Sequence, residues 1–261
     1  MLKRLHSFFL NKLLPWALPV LLLAGWQYAV KFGFVSTNIL PAPTDVYFAA
    51  IDLFHSGMLM DHIGISLGRA LIGFLIGGSI GFLLGLANGL FRSTELLFDT
   101  SIQMLRNIPH LALIPLVILW FGIDEEAKIF LVALGVLFPI YLNTYHGIKS
   151  VDKGLIEMGR MYGLKGFSLF VHVIFPGALS SIIVGIRYSL GIMWITLIVS
   201  ETISSTSGIG YMAMNAREFM QMDVIVLSIL LYALLGKLSD VIARFFENRL
   251  LKWHPSYQKP S

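Results

Sequence analysis

Long apolar stretches alternate with short polar segments along the chain. Residues 13–30 carry no charge over 18 positions, residues 70–91 carry none over 22, and residues 129–150 are interrupted by Lys149 alone. A helix needs roughly 20 residues to cross a hydrocarbon core of about 30 Å, so each stretch is long enough to span a bilayer. The pattern predicts an all-α, polytopic membrane protein.

We predict about six transmembrane helices in this sequence. The third is short and contains Pro109 and Pro115, the fifth contains Arg187, and the sixth is flanked closely by Asp223 and Lys237. Hydropathy alone therefore does not define the ends of these three. The predicted spans are 13–31, 68–91, 107–122, 129–148, 177–200 and 219–238.

Basic residues are distributed unequally between the two sides of these spans. With the N-terminus inside, fourteen of the nineteen Lys and Arg residues fall on the inner side and four on the outer side, while Arg187 lies within a span. Membrane proteins concentrate Lys and Arg on the cytoplasmic side. Both termini are therefore predicted to be cytoplasmic, and the net charge of +4 needs no nucleic-acid partner.

Composition supports the membrane assignment and excludes some chemistry. Only 13% of residues are charged, against about a quarter in soluble domains. There is no cysteine, which excludes disulfides and thiolate metal sites. The first 25 residues look like a signal peptide, but no small-x-small cleavage site precedes Trp26 and five apolar segments follow. We therefore expect an uncleaved first span.

A stripe of glycines runs along the second predicted span. One glycine recurs at every fourth position, which on a helix forms a smooth surface that another helix can approach closely. We therefore predict a tightly packed bundle, with helix breaks at the prolines of the third and fourth spans. The glycines are Gly73, Gly77, Gly81, Gly85 and Gly89, and the prolines are Pro109, Pro115 and Pro139.

The segment between the fourth and fifth spans predicts a short amphipathic helix. Gly163 is suited to end it in a left-handed C′ position, and a second helical stretch over 167–175 is predicted to stop at Pro176. An apolar helix face in the cytoplasm fits a groove on a partner protein; the alternative is an interfacial loop without a special role. The apolar face consists of Leu155, Met158, Met161 and Tyr162, with Glu157 and Arg160 on another face.

This loop resembles the EAA loop of the permeases of binding-protein-dependent ABC importers. Glu157, Gly163 and Pro176 match at the family's spacing, whereas Met158 and Gly159 stand where the family has two alanines. In the family this loop is the coupling helix that docks into a cleft of the ATPase. The resemblance implies ATPase coupling by Glu157, Met158, Arg160, Gly163, Leu164 and Pro176.

The resemblance covers nearly the whole chain. Residues 96–124 and 201–218 resemble the nitrate, sulfonate and taurine branch, and within it most closely the aliphatic sulfonate permeases. It implies an ABC importer permease fold in a bacterial inner membrane and a translocation path for aliphatic sulfonates. Taurine, nitrate or bicarbonate, and a vitamin precursor are alternative solutes.

Other functional classes fit the sequence less well. An ion-driven secondary transporter is disfavoured because no acidic residue lies deep in a predicted span and the two halves do not repeat. An energy-coupling or assembly subunit that carries no solute is a further alternative. Gly236-Lys237 is followed by Leu238, so the Walker A pattern is absent and no ATP site is expected.

The resemblance also implies the partners and the division of the chain. ATP hydrolysis is assigned to a separate cytoplasmic ATP-binding subunit, so this chain is not expected to be an enzyme. Further implied partners are an extracytoplasmic solute-binding protein, a second copy of the permease and membrane lipid; no cofactor is expected. We divide the chain into residues 1–60 (tail, first span and outer loop), a core domain 61–246 with coupling loop 149–176, and a cytoplasmic tail 247–261.

Arg187 is the most informative candidate for the path. It lies about ten residues into the fifth span, where a charge costs roughly 2.5–3.5 kcal/mol on insertion scales. A guanidinium suits the oxygens of a sulfonate, so Arg187 either lines an anion path or forms an internal pair with an acid.

Other polar residues are weaker candidates for the path. Asn107 and His110, near Arg106, form either a polar gate or an interfacial anchor. Glu201 is predicted to begin an outer loop, where it either contacts the binding protein or is solvated. His55 and His62 lack further ligands at suitable spacing, so no metal site is predicted, and no catalytic arrangement is found.

Overall fold

In the computed structural model residues 14–253 are described, and they form helices without a β-strand among them. The predicted basic N-terminal tail before residue 14 and the end of the C-terminal tail after residue 253 lie outside the described residues. The helices are α1 (Leu14–Lys31), α2 (Pro43–His55), α3 (Met58–Leu90), α4 (Arg92–Arg106), α5 (Ile114–Phe121), α6 (Glu125–Lys149), α7 (Lys153–Met161), α8 (Gly166–Leu169), α9 (Phe175–Ser204), α10 (Ile209–Glu218) and α11 (Met222–Leu250).

Four helical segments of the described chain are long and apolar enough to cross a bilayer. They are α3, α6, the segment 166–203 and α11. The pair formed by α4 and residues 110–121 becomes a fifth span if counted as one broken helix. Helix α1 lies where the first span is predicted. The expected count of about six is roughly consistent with this arrangement.

The third predicted span is broken. The chain runs through α4, bends by 79°, makes a 3₁₀ turn over His110–Leu113 and continues as α5. Pro109 caps the 3₁₀ turn in an extended conformation, and Pro115 lies in the first turn of α5. Proline has no backbone N–H and is tolerated at the start of a helix, so both prolines sit at helix starts.

The prediction that Pro176 stops a helix is wrong. Helix α8 continues through a π-helical turn over Phe170–Ile174 directly into α9, and Pro176 lies in the first turn of α9. A π turn shifts hydrogen bonding to a five-residue spacing. This shift accommodates the missing N–H of Pro176, so the coupling loop joins the membrane helix without a break.

The predicted glycine stripe is the contact between α3 and α6. A Cβ added at Gly85 would lie 2.7 Å from Thr144 Cβ, and one added at Gly77 would overlap the backbone carbonyl of Ala133. The backbones of the two helices therefore approach as closely as glycine allows. The other stripe residues are Gly73, Gly81 and Gly89, which face Val132, Leu137 and Ile148 respectively.

Helix α6 is the central element of the bundle. Helix α3 packs on one side of it and α9 on the other, while α11 packs against α9. Val132 and Val136 of α6 form a buried cluster with Trp194 and Leu197 of α9. Because α6 packs against both α3 and α9, it forms the centre of the helix bundle.

Candidate functional site

Helix α7 has well-defined ends. The Asp152 side chain accepts a hydrogen bond from the Gly154 N–H (2.6 Å) and caps the helix start. At the other end Gly163 has a φ of +85°, its N–H donates to Arg160 O (2.9 Å), and the Leu164 N–H donates to Gly159 O (3.0 Å). This is the Schellman pair of bonds. The predicted left-handed C′ position of Gly163 is confirmed.

One face of α7 packs against the bundle and the other is exposed. Gly159 is buried, and a Cβ there would lie 2.9 Å from Leu169 Cδ1 and 3.1 Å from Val173 Cγ2. On the predicted apolar face Met161 is 89% exposed and Tyr162 82% exposed, and Leu155 and Met158 are also exposed. Glu157 and Arg160 are exposed as well. The helix therefore presents an apolar surface that nothing in the described chain covers.

Arg187 bridges α9 and α11. Its Nε donates to Asp240 Oδ1 (2.7 Å) and its Nη1 to Glu247 Oε2 (3.3 Å). Asp240 Oδ2 also lies 3.1 Å from Arg244 Nε and 3.6 Å from Lys237 Nζ. The internal pair anticipated from sequence is therefore present.

The same arginine lines an open groove of about 460 Å³ between α9 and α11. Its side chain remains 33% exposed and that of Asp240 28% exposed. Apolar residues make up most of the groove wall, so the ion pair lies at the edge of an apolar surface. The wall residues are Val184, Tyr188, Gly191, Ile192 and Ile195.

The prediction that Glu201 begins an outer loop as a solvated carboxylate is wrong. Glu201 lies within α9 and is 1% exposed. Its Oε1 accepts from Arg69 Nη1 (2.7 Å) and its Oε2 from the Tyr232 hydroxyl (2.8 Å). The Ser66 hydroxyl lies 2.8 Å from both oxygens. The buried carboxylate receives donors from three helices: Ser66 and Arg69 of α3, the Gly210 N–H of α10 and Tyr232 of α11.

Arg69 is the centre of this second charged cluster. It is 3% exposed, and its Nε and Nη2 donate to the two oxygens of Glu125 at 2.5 Å and 2.6 Å. Its Nη1 also donates to Ser207 O (2.7 Å). Lys128, 1% exposed, lies 3.5 Å from Glu125 Oε1. Two acids and two bases therefore balance each other in this cluster.

The glycines after α9 allow the chain to close over Glu201. Gly208 has a φ of +101°, and a Cβ there would collide with the Glu201 carboxylate and lie 2.6 Å from Arg69 Nη1. A Cβ at Gly210 would lie 2.5 Å from Glu201 Cβ, and the Gly210 N–H donates to Glu201 Oε2 (2.9 Å). Residues 201–218, which carry part of the family resemblance, thus contain the segment that encloses the buried Glu201 carboxylate.

His110 and Asn107 lie on either side of the break before α5. His110 Nε2 lies 3.0 Å from the hydroxyl of Thr196, which is buried in α9, whereas Asn107 caps α4 and is exposed. His110 therefore joins the broken span to α9, the helix that also carries Arg187 and Glu201.

Sequence reasoning missed several charged partners. Arg69 and Lys128 are two of the four basic residues that the charge distribution assigns to the outer side, and the structure shows that both are buried. Asp240 and Glu247 lay beyond the predicted end of the sixth span, whereas α11 continues to Leu250. The seven-residue spacing of these two acids, which puts them on one helix face, was the available signal. The expectation that no acid lies deep in a span fails at Asp240, which is ten residues from the end of α11; Glu201 is only three residues from the end of α9.

The histidines considered for a metal site have other surroundings. His55 ends α2, and His62 Nδ1 lies 3.1 Å from the Gly208 N–H. Within residues 14–253, no group of three His, Asp or Glu side chains is arranged to hold a metal ion.

Comparisons with known proteins agree with this architecture. The chain is 64% identical over 249 residues, 95% of each chain, to a protein of Escherichia coli (strain K12) named as the aliphatic sulfonates transport permease SsuC. It is 46% identical to the Bacillus subtilis (strain 168) protein of that name, over 92% of this chain and 87% of the other. A chain from the crystal structure of a bacterial ABC transporter involved in the import of the acidic polysaccharide alginate has the same fold, with a TM-score of 0.63 at 14% identity, covering 95% of this chain and 93% of that one.

A family model covers most of the bundle described above. Residues 73–252, from the glycine stripe through the end of α11, match the family described as the binding-protein-dependent transport system inner membrane component. This chain therefore belongs to that family of multi-pass membrane permeases.

Proposed function

We propose that this permease forms the membrane path of an importer for aliphatic sulfonates. A separate ATP-binding subunit supplies the energy, and an extracytoplasmic solute-binding protein delivers the solute. The solute assignment is supported by 64% identity to a protein named for aliphatic sulfonates. Taurine, nitrate or bicarbonate, and a vitamin precursor are the alternatives.

The exposed apolar face of α7 is the main support for the proposal that this helix docks on the ATP-binding subunit. Met161 and Tyr162 are almost fully exposed while the opposite side of the helix is packed. An amphipathic helix whose apolar face is free fits a hydrophobic groove on a partner. The rigid Schellman end at Gly163 and the unbroken passage from α8 into α9 would transmit a movement of α7 to the membrane helix. Glu157, Met158, Arg160 and Leu164 belong to the proposed docking surface, with Pro176 in the connecting helix.

The charge asymmetry supports an orientation with both termini in the cytoplasm. Helix α7 then lies on the cytoplasmic side, where an ATPase can reach it. The Arg69–Glu201 cluster lies on the outer side, under the segment 205–208 that would face the binding protein.

The groove beside Arg187 marks the proposed path and the face for a second copy of the permease. Arg187 and Asp240 are partly exposed on the bundle surface, and charged groups on membrane helices face water or protein rather than lipid. A second copy placed over this face would enclose the groove between two chains. Asn107, His110 and Glu201 are the further path candidates from the sequence. His110 contacts Thr196 of α9, the helix that carries Arg187, whereas Glu201 is sealed in the Arg69 cluster.

Growth on defined sulfur sources tests the solute. A deletion strain lacking redundant importers is expected to lose growth on ethanesulfonate while retaining growth on sulfate and taurine. The wild-type gene should restore growth, and a Glu157→Ala/Gly163→Val double variant should not. Unchanged growth on all three sources would refute the sulfonate assignment and direct attention to nitrate and vitamin precursors.

Replacing Met161 with aspartate is expected to separate the permease from its ATPase. Met161 is the most exposed residue of the apolar face, at 89%, and a charge there cannot enter an apolar groove without losing its hydration. Copurification of the ATPase should fall at least tenfold, while the thermal stability of the permease stays within about 0.5 kcal/mol because the site is at the surface.

Met58→Asp is the matched control for this experiment. Met58 is also exposed, at 49%, but begins α3 at the opposite end of the bundle from α7. The control variant should retain the ATPase. Equal retention by both variants would show that α7 is not the docking surface.

A further inference from the structure

The two charged clusters of the bundle differ in balance and in exposure. Around Arg69, two bases and two acids are paired in a cluster whose arginine and Glu201 are almost fully buried. Around Asp240, three bases meet two acids and several of the side chains are exposed: Lys237 is 66%, Arg244 55% and Arg187 33% exposed. Among the residues that the structure describes, the second cluster therefore has more bases than acids, and it lies at the edge of an open groove.

Asp240 occupies the position that an anion would take among these bases. One of its oxygens accepts from Arg187 Nε, and the other lies within 3.6 Å of both Arg244 Nε and Lys237 Nζ. A sulfonate carries three acceptor oxygens on one atom. It can therefore receive the same three donors that now converge on a single carboxylate.

The groove next to the cluster suits the other half of an alkylsulfonate. Val184, Ile192 and Ile195 provide apolar wall, and a Cβ at Gly191 would have no atom within 4 Å, so the space there is open. An anionic head beside the bases and a short alkyl chain along the wall would match both parts of the surface. An inorganic anion has no alkyl chain, so the apolar wall of the groove would add nothing to its binding free energy.

The Arg187–Asp240 cluster lies well away from the ends of the two helices that carry it. Arg187 is twelve residues from the start of α9 and Asp240 is ten residues from the end of α11. At 1.5 Å per residue these distances are about 18 Å and about 15 Å. In the proposed orientation both helix ends are cytoplasmic, which places the cluster near the middle of a hydrocarbon core of about 30 Å.

We propose that Arg187, Lys237 and Arg244 form an exchangeable binding site for an alkylsulfonate, with Asp240 as the resident counter-ion that the solute displaces. This inference rests on the proposed function and deepens it. Asp240 would keep the site from holding the solute so tightly that release to the cytoplasm is blocked. It would do so by returning to the bases as the sulfonate leaves.

Binding measurements on the assembled transporter test this site. Ethanesulfonate is titrated into the complex of permease and ATPase in phosphatidylcholine nanodiscs, without binding protein or nucleotide. Asp240→Asn is expected to lower the Kd about tenfold because the competing carboxylate is gone, and Arg187→Gln to raise it at least tenfold. Asp240→Glu should restore the wild-type value. Across a series from methanesulfonate to butanesulfonate, the Kd should fall about fourfold for each added methylene that contacts the apolar wall of the groove.

Glu95→Gln is the matched control. It removes an ion pair of the same 2.7 Å length and similar exposure, with Lys149, away from the groove, and should leave the Kd unchanged. The same Kd in wild type, Asp240→Asn and Arg187→Gln would overturn the inference, whatever the effect of these changes on stability.

Two further outcomes distinguish the proposed sulfonate site from a lipid-headgroup site and from the proposed import function. In the first, added phosphatidylglycerol abolishes ethanesulfonate binding and stabilises the wild type but not Arg187→Gln. This result would assign the cluster to a lipid headgroup and overturn the proposal. Proteoliposomes that bind ethanesulfonate with the expected variant pattern, but do not import it with the binding protein present, would support the site and refute the proposed function.

Discussion

The Arg69→Met variant is expected to lose roughly 3–5 kcal/mol of its free energy of unfolding, the usual effect of removing one partner of a buried ion pair. Arg69 and Glu201 are 3% and 1% exposed, so the carboxylate left behind has little access to water. Arg69 also anchors the segment after α9 through Ser207 O. Thermal or denaturant unfolding of the detergent-solubilised permease measures the loss.

The neighbouring carboxylate supplies the control for this variant. The Glu125 side chain is 53% exposed, so Glu125→Gln is expected to cost about 1 kcal/mol or less, as a largely solvated pair does. The double variant Arg69→Met/Glu201→Gln should lose less free energy of unfolding than the two single variants lose together, since it leaves no unpaired buried charge between these two positions. Equal losses in Arg69→Met and Glu125→Gln would contradict the buried-pair interpretation.

Gly77→Ala is expected to destabilise the contact between α3 and α6 by about 1–3 kcal/mol, as overpacking does. The added Cβ would overlap the carbonyl of Ala133, a backbone group that cannot turn aside as a flexible side chain can. The helices must therefore separate along the whole stripe. Adding Gly81→Ala, whose Cβ would meet the carbonyl of Leu137, should abolish the recovery of monodisperse permease in size-exclusion chromatography.

Gly68→Ala, on the same helix, is the matched control for the stripe. A Cβ at Gly68 has no atom within 4 Å, and alanine is the better helix former. This variant should be as stable as wild type or more so. A loss at Gly68 equal to that at Gly77 would mean that helix propensity, not the approach of α6, explains the effect.

The coupling loop shows how far sequence reasoning reached. The end of α7 at Gly163 and its exposed apolar face follow from residues within one or two helical turns of each other, and both were predicted. The effect of Pro176 was predicted wrongly. A proline interrupts α-helical bonding wherever it occurs, but whether the chain stops or accommodates it by a π turn depends on the packing that holds α8 and α9 in line.

The charged candidates show where the same reasoning failed. A charge within a span needs a partner, which singles out Arg187, but the sequence pattern alone does not show that the partner is Asp240, 53 residues away. The sequence predicts that Glu201 begins the outer loop that contains Gly208 and Gly210. Its burial depends on Arg69, 132 residues earlier in the chain.

The sequence by itself determined the membrane class, the approximate spans, the glycine stripe and the capped amphipathic helix, and the family resemblance carried the importer assignment. These properties depend on composition and on residues three or four positions apart, which local physical chemistry relates directly to structure. Tertiary structure alone decided which helix covers the stripe, which acids meet Arg69 and Arg187, and which cluster is sealed and which is open. Those outcomes depend on contacts between distant segments, and only the packed bundle brings those segments together.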